Sequence, residues 1–348
     1  MSISATTPPI RDNWPVSENT SMHDQLDTAL LSSSRRSDGG HHTAYDVLSA
    51  VLHADEPAAL AVITGIEGSA YRRPGTMMAL FASGRRVGTL SSGCIEGDLA
   101  LQAQEVLAEG RPRAIRYGVG SPYMDIQLPC GGGLDITLIP RPTTSILVEI
   151  ESFYARREPC SLLLEAGGDL TVVPLGPTGW TKCGYRVALI PDVRFVIFGI
   201  GPEAAFFAQV VNSLNYPHLL LSPEEETIRV ASAAGCATAS LCRGVLPPHL
   251  EIDARTAVVL FFHDHSLEPP ILTRALASPA FYIGAQGSRK ARDRRLETMR
   301  RGGALEDNLS RLRGPVGLVP SVREPRVLAV SIFAEILALA EGHSPLSS

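Results

Sequence analysis

The sequence predicts an α/β protein in which an N-terminal α+β domain precedes a doubly wound, parallel-sheet domain. Three observations carry this. The 348 residues exceed one ordinary core, at ~100–200 residues per domain. A hydrophobic content of 45% with 19% charged residues supplies core material and excludes a disordered chain. The apolar pattern also changes near Arg194, from short hairpin-like strands to strands alternating with helices.

Residues 1–42 read as a disordered tail: Pro8-Pro9, Ser32-Ser33-Ser34 and Gly39-Gly40 surround one weak amphipathic patch at Leu26 to Leu31. Residues 43–190 form the first predicted domain. Thr43 is placed to cap a helix whose Val47, Leu48, Val51 and Leu52 recur at helical spacing. A buried-type strand follows at Ala59 to Thr64, then the loop Glu67 to Gly75. Met77 to Phe81 and Arg86 to Leu90 read as a hairpin turned at Ser83-Gly84. Ser91-Ser-Gly-Cys-Ile-Glu96 opens a helix with Ile95, Leu99, Ala103 and Val106 on one face, stopped at Gly110. Strands are predicted at Ala114–Tyr117, Met124–Leu128 and Leu134–Ile139 around Pro129-Cys-Gly-Gly-Gly133. A helix at Thr144–Arg157 and strands at Ser161–Glu165 and Leu170–Pro174 complete this half.

The second predicted domain spans 191–343. Phe195 to Phe198 is a short apolar strand leading into Gly199-Ile-Gly201 and a helix with Ala204, Phe207, Ala208, Val211 and Leu214 on one face. Strands at His218–Leu221, Ala257–Phe262 and Phe281–Ile283 alternate with helices at Pro223–Ala234 and Leu267–Ala277. That alternation is a Rossmann-like, doubly wound pattern. The last helix, from about Pro325 to Ala340, is apolar almost all round, which predicts burial against the sheet or at a subunit contact. Glu335 within it is expected to cap or to pair across an interface.

Composition excludes several chemistries. With 31 basic and 36 acidic residues the chain carries a formal charge of −5, so it is not built to coat nucleic acid. Lys182 and Lys290 are the only lysines. A phosphate loop with its lysine is therefore absent, and Schiff-base catalysis has almost no candidates. Met1 to Asn13 has no apolar core of a secretory signal, and no run is long enough to span a membrane. Six cysteines without a Cys-x-x-Cys pair argue against a disulfide scaffold or a structural zinc site and for a reducing cytoplasm.

Two glycine-bound cysteines stand out. Cys94, after Gly93, lies at a helix N-terminus, where the helix dipole favours a thiolate. Cys130 heads Cys-Gly-Gly-Gly, a loop whose amides can form an anion-binding concavity. Together they suit a soft anionic ligand such as a sulfur-bound metal group, against the plainer reading of small residues at tight turns. The other four cysteines are expected to pack. Gly199 and Gly201 occupy the place of a dinucleotide turn, yet Ser222-Pro223 stands where an acidic ribose ligand is expected. A nucleotide site and a turn used only for packing both remain open. Arg72-Arg73 and Arg85-Arg86 can reach a phosphate or simply face solvent. Arg289 to Arg301, with seven basic and two acidic residues, reads as an anion site or docking face. His263-Asp264-His265 follows a strand end, where a metal pair is the sharper reading and ordinary loop polarity the plainer one.

These motifs together resemble the XdhC/CoxI family of molybdenum-cofactor chaperones, the maturation factors of xanthine-dehydrogenase-type hydroxylases. The resemblance rests on Gly68-Ser-Ala-Tyr-Arg-Arg-Pro-Gly75, Ser91-Ser-Gly-Cys94-Ile-Glu96 and Leu128-Pro-Cys130-Gly-Gly in the first half. In the second half it rests on Phe195–Gly201, His263-Asp264, Tyr282–Arg289, Gly314–Leu318 and Ala329–Leu337. It implies an XdhC-like cofactor-chaperone domain followed by a Rossmann-like XdhC C-terminal domain. It further implies the molybdopterin form of the cofactor as bound cargo, an apo molybdenum hydroxylase and a cysteine desulfurase as partners, a homodimer, and no turnover of its own. Cys94 and Cys130 become candidate contacts to molybdenum or its sulfur, Gly93, Gly131 and Gly132 line the cofactor site, and Arg73 neutralises the pterin phosphate. The alternative is an NAD(P)-dependent oxidoreductase using the Gly199-Ile-Gly201 turn. Three departures from the family pattern are Ser92 beside the thiol, Ser222-Pro-Glu-Glu after the second strand, and Val319-Pro-Ser-Val-Arg323 before the last helix.

Overall fold

The computed structural model describes residues 42–91, 93–121, 128, 131–241, 246–247 and 250–342. The described chain divides into two compact units, the first made of residues 42–193 with 340–342 and the second of Arg194–Leu339. The first begins with α1 (Ala44–Leu52), where Thr43 Oγ1 accepts from the Asp46 amide and Asp46 accepts in return from the Thr43 amide at 2.8 Å. This capping box satisfies helix-end donors that would otherwise have no partner. The strands β1 (Ala58–Glu67), β2 (Met77–Phe81), β3 (Arg86–Gly88), β4 (Arg113–Gly118) and β5 (Gly133–Pro140) form one antiparallel sheet in the order β3-β2-β1-β5-β4.

Both faces of that sheet are covered, which explains why β1 is apolar at nearly every position. Ala59, Ala61 and Ile63 face α2 (Glu96–Glu109), meeting Leu99, Ala103 and Val106. Ala58, Leu60 and Val62 face the other way, toward α1, α3 (Thr144–Ala155) and a second sheet. That second sheet is β6 (Cys160–Glu165), β7 (Leu170–Val173), β8 (Gly179–Thr181) and β9 (Gly184–Leu189), antiparallel in the order β7-β6-β9-β8. The β8–β9 hairpin is invisible to periodicity because β8 is only Gly-Trp-Thr. Gly184 lets β9 lie against β6: a Cβ there would lie 2.2 Å from the Leu164 carbonyl oxygen. Of the strand predicted at Met124–Leu128, all but Leu128 lies outside the described residues.

The second unit contains β10 (Arg194–Gly199), α4 (Pro202–Ser213), β11 (His218–Ser222), α5 (Glu225–Ala233), β12 (Thr238–Ser240) and β13 (Thr256–Phe261). It continues through α6 (Glu268–Ala277), β14 (Tyr282–Ala285), α7 (Arg289–Arg301), α8 (Glu306–Ser310), β15 (Leu312–Arg313) and α9 (Pro325–Gly342). All its strand pairs are parallel, in the order β12-β11-β10-β13-β14-β15. The chain starts at the centre and winds outward in both directions, as the doubly wound class requires. The short edge strands β12 and β15 and the single-turn α8 carry too few residues to show a period.

The last helix departs from expectation. Its Ala329, Ile332 and Ile336 are buried and Phe333 stacks on Phe195 with centroids 5.5 Å apart, but Val327 and Val330 are exposed. Glu335 does not need an interface between copies: it accepts from the Gly317 amide and pairs with Arg313 at 3.2 Å. No helix among the described residues is long and apolar enough to cross a membrane.

Candidate functional site

Strand register brings the glycine-rich motifs of the first unit to one end of the five-stranded sheet. Glu67 at the end of β1 and Gly118 at the end of β4 both pair with Gly133 at the start of β5. Met77 begins β2 at the same end, and Gly88 pairs beside it with Met78. The loops after β1, after β3 and before β5 therefore share one rim. At Gly132 and Gly118 they pack without room for a side chain. A Cβ on Gly132 would sit 2.2 Å from the Ser69 carbonyl oxygen and 2.7 Å from that of Glu67, and one on Gly118 would sit 2.1 Å from the Gly132 oxygen. Arg116 of β4 fastens the rim, pairing with Asp135 at 2.8 Å and with Glu67, while its Nε donates to the Val119 carbonyl at 2.8 Å.

Cys94 sits on this rim with its side chain exposed, just before the N-cap residue Ile95 of α2. Its loop wraps a buried carboxylate. Glu96 accepts from the Ser91 amide at 2.8 Å, the Ser91 hydroxyl at 2.6 Å and the Thr89 hydroxyl at 2.7 Å. Ser91 Oγ in turn accepts from the Cys94 amide at 3.1 Å. Burial opposes ionisation of Glu96, but the donors of Ser91 and Thr89 outweigh it and hold its pKa down at about 2. In the same first turn, Asp98 accepts from the Tyr117 hydroxyl at 2.5 Å, tying the start of α2 to the end of β4. Sequence reasoning missed Glu96 as a loop organiser, because an acidic residue in a first helical turn ordinarily answers only the helix dipole. The hydroxyls of Thr89 and Ser91 upstream were the available signal.

Gly93 is exposed with φ +101° and open space where a Cβ would be. Gly131 turns with φ +68° and donates its amide to the Leu128 carbonyl at 2.9 Å, so that amide is engaged within the turn. Cys130 and Ser92 lie outside the described residues. Arg73 is 84% exposed at its side chain, whereas its neighbour Arg72 is half-buried along a cleft with His42 and Thr89. Cys160 and Cys236 are buried, and desolvation pushes their thiols up to about 11. Cys183, expected to pack, is instead exposed in the β8–β9 turn, where its amide donates to Thr181. Cys242 lies outside the described residues.

The dinucleotide-like turn of the second unit is built for packing. A Cβ on Gly199 would meet Phe261 Cβ at 2.7 Å and Ala204 Cβ at 2.9 Å, so the glycine permits close approach of β10, β13 and α4. Gly201, with φ +87°, donates its amide to Thr227 Oγ1 at 2.8 Å. Glu203 stands in the first turn of α4, and its buried Oε2 has no hydrogen-bond partner. His263 Nε2 lies 3.9 Å from that oxygen. A pyrophosphate would find an engaged amide and a carboxylate where it needs donors and positive potential, so these residues do not fit NAD(P). His265 turns away to pair with Glu268 at 3.1 Å, and Glu268 makes a buried ion pair with Arg295. Among the described residues no three potential ligands gather for a metal. The basic helix is less free than its sequence suggests: Arg295, Arg300 and Arg301 each pair with a carboxylate.

Comparison with known proteins places both units. Residues 51–118 match a model described as the XdhC and CoxI family, and residues 195–336 match one described as the XdhC Rossmann domain. A molybdenum cofactor insertion chaperone of Escherichia coli, PaoD, is 32% identical over 301 residues, covering 86% of this chain and 88% of that protein. A protein of Bacillus subtilis described as a probable xanthine dehydrogenase subunit is 24% identical, covering 86% of this chain and 97% of that protein. Among solved structures, a chain described as a xanthine dehydrogenase of Bacillus halodurans superposes with a TM-score of 0.69 at 21% identity, covering 88% of this chain and 99% of that one. That likeness concerns the fold.

Proposed function

Because the chain belongs to the XdhC and CoxI family, we propose that it binds the molybdenum cofactor as cargo and inserts it into a hydroxylase of the xanthine-dehydrogenase type. The observation that carries this reading is the rim at which the Cys94 loop and the glycine loop before β5 converge. A thiol aimed at solvent from a loop fixed by a buried carboxylate suits a soft metal or its sulfur. The E. coli relative, an insertion chaperone by name, supports the same cargo. The work is binding and release: the rim shields the cofactor until an apo-hydroxylase accepts it. Cys130 is the second candidate thiol, Gly132 gives the loops their close approach, and Gly93 and Gly131 line the site at open turns. Sulfuration by a cysteine desulfurase while the cargo is held, a homodimeric assembly and a cytoplasmic location belong to the same proposal.

Two outcomes test it. Cys94→Ala is expected to lower molybdopterin occupancy several-fold after co-expression with cofactor biosynthesis, whereas Cys183→Ala, at the exposed β8–β9 turn, leaves it unchanged. Equal losses in the two variants would remove the rim thiol from the mechanism. The rival oxidoreductase reading is met by titration with NADH followed by fluorescence. No saturable binding is expected, because Glu203 and the engaged Gly201 amide oppose the pyrophosphate. Saturable binding with turnover of a carbonyl compound would replace the chaperone by an enzyme.

A further inference from the structure

We propose that the cleft bordered by Arg72 and His42 is a phosphate subsite that seats the phosphate end of the cargo. The cargo assignment rests on the function proposed above; the phosphate chemistry stands on the cleft itself. Its volume is about 260 Å³, and it is lined by His42, Arg72, Gly75, Thr76, Thr89 and Thr178 among others, with no carboxylate in the lining.

Arg72 brings a donor without an acceptor to this cleft. Arg85, Arg113 and Arg116 of the same unit each have a carboxylate partner, in Glu56, in Glu105 and Glu109, and in Asp135. The half-buried Arg72 has no hydrogen bond or ion pair among the described residues. His42 Nδ1 is buried, likewise with no hydrogen-bond partner. The Thr178 hydroxyl accepts from the Ala188 amide at 3.0 Å, which leaves its proton to donate. Thr76 and Thr89 contribute walls rather than donors, because the Thr76 hydroxyl already donates to the Arg73 carbonyl and the Thr89 hydroxyl to Glu96.

A guanidinium fork and a hydroxyl approaching from different elements suit a phosphate oxyanion. Gly75 keeps the space open. With φ +86°, a Cβ there would come within 2.9 Å of Thr178 Cγ2 and 3.1 Å of Val187 Cγ1. The cleft also borders the Cys94 loop. Thr89 lines it and donates to Glu96, and the five residues from Thr89 to Cys94 span at most ~18 Å even when fully extended. On this proposal the metal end of a single cargo sits at the thiol and its phosphate in the cleft. The adjacent arginines have different surroundings: Arg72 lines the cleft, while the exposed Arg73 pairs with Glu341 at 3.1 Å.

The test uses the full-length apo chain and inorganic phosphate, followed by calorimetry in excess chloride. Wild-type protein is expected to bind phosphate saturably. Arg72→Ala should weaken binding at least tenfold, Arg72→Lys less, and the surface variant Arg156→Ala not at all, with unchanged unfolding midpoints throughout. Absence of saturable binding, or equal affinity in Arg72→Ala, overturns the subsite. Molybdopterin occupancy after co-expression separates the two claims. Phosphate binding that depends on Arg72 in a chain that never carries molybdopterin keeps the subsite and removes the chaperone reading. Occupancy that is normal in Arg72→Ala, with phosphate binding lost, overturns the assignment of the cleft to the cargo.

Discussion

Glu96→Ala is expected to lower stability by about 3 kcal/mol and to strip the protein of cargo. The carboxylate holds the Ser91 amide and hydroxyl, the Thr89 hydroxyl and the Ile95 amide together. Removing it leaves buried donors without an acceptor, at roughly 1–3 kcal/mol for an unsatisfied group. Linkage gives the same size. A pKa drawn from 4.5 to about 2 corresponds to about 3 kcal/mol, at ~1.4 kcal/mol per pKa unit. The sign follows from the depressed value. The contribution is complete above the unfolded pKa near 4.5 and is lost as pH falls toward about 2. Urea midpoints of wild type and Glu96→Gln should therefore differ most at neutral pH, with the gap reduced to roughly half or less at about pH 3. A gap independent of pH would mean that the carboxylate does not organise the loop.

Gly132→Ala is expected to be comparably damaging, at about 3 kcal/mol, with loss of the bound cofactor. The added methyl would meet two backbone oxygens, Ser69 at 2.2 Å and Glu67 at 2.7 Å. Backbone cannot rotate aside as a flexible side chain can, so the loops after β1 and before β5 must part. Gly131→Ala is the contrast: it has open space, and only its φ of +68° is strained, which costs about 1 kcal/mol. Thermal or urea unfolding of the two variants checks the difference. Similar destabilisation by both would show that the rim is looser than described.

The fold class was legible because its signals are local. Thr43 and Asp46 form the capping box within one turn, Gly110 ends α2 in a left-handed conformation, and β10 is apolar because both faces are covered. The β8–β9 hairpin was not, since Gly-Trp-Thr is too short for a period and the place of β9 depends on Gly184 approaching Leu164 of β6. The site was legible as motifs but not as an arrangement. Cys94 and the glycine loop could be named from sequence, whereas their common rim follows from the pairing of Glu67 and Gly118 with Gly133. The Gly199-Ile-Gly201 turn illustrates the opposite case. Its local signature suggests a nucleotide, and the decisive contacts, from Gly201 to Thr227 and from Gly199 to Phe261, come from distant segments.

The most direct test of the cargo claim is molybdenum and pterin analysis of the protein purified after co-expression with cofactor biosynthesis. Wild type should carry molybdenum and molybdopterin in equal amounts, and the Cys94→Ala/Cys130→Ala double variant should carry little of either while remaining folded. A wild-type protein free of both, or a double variant loaded as fully as wild type, would contradict the account.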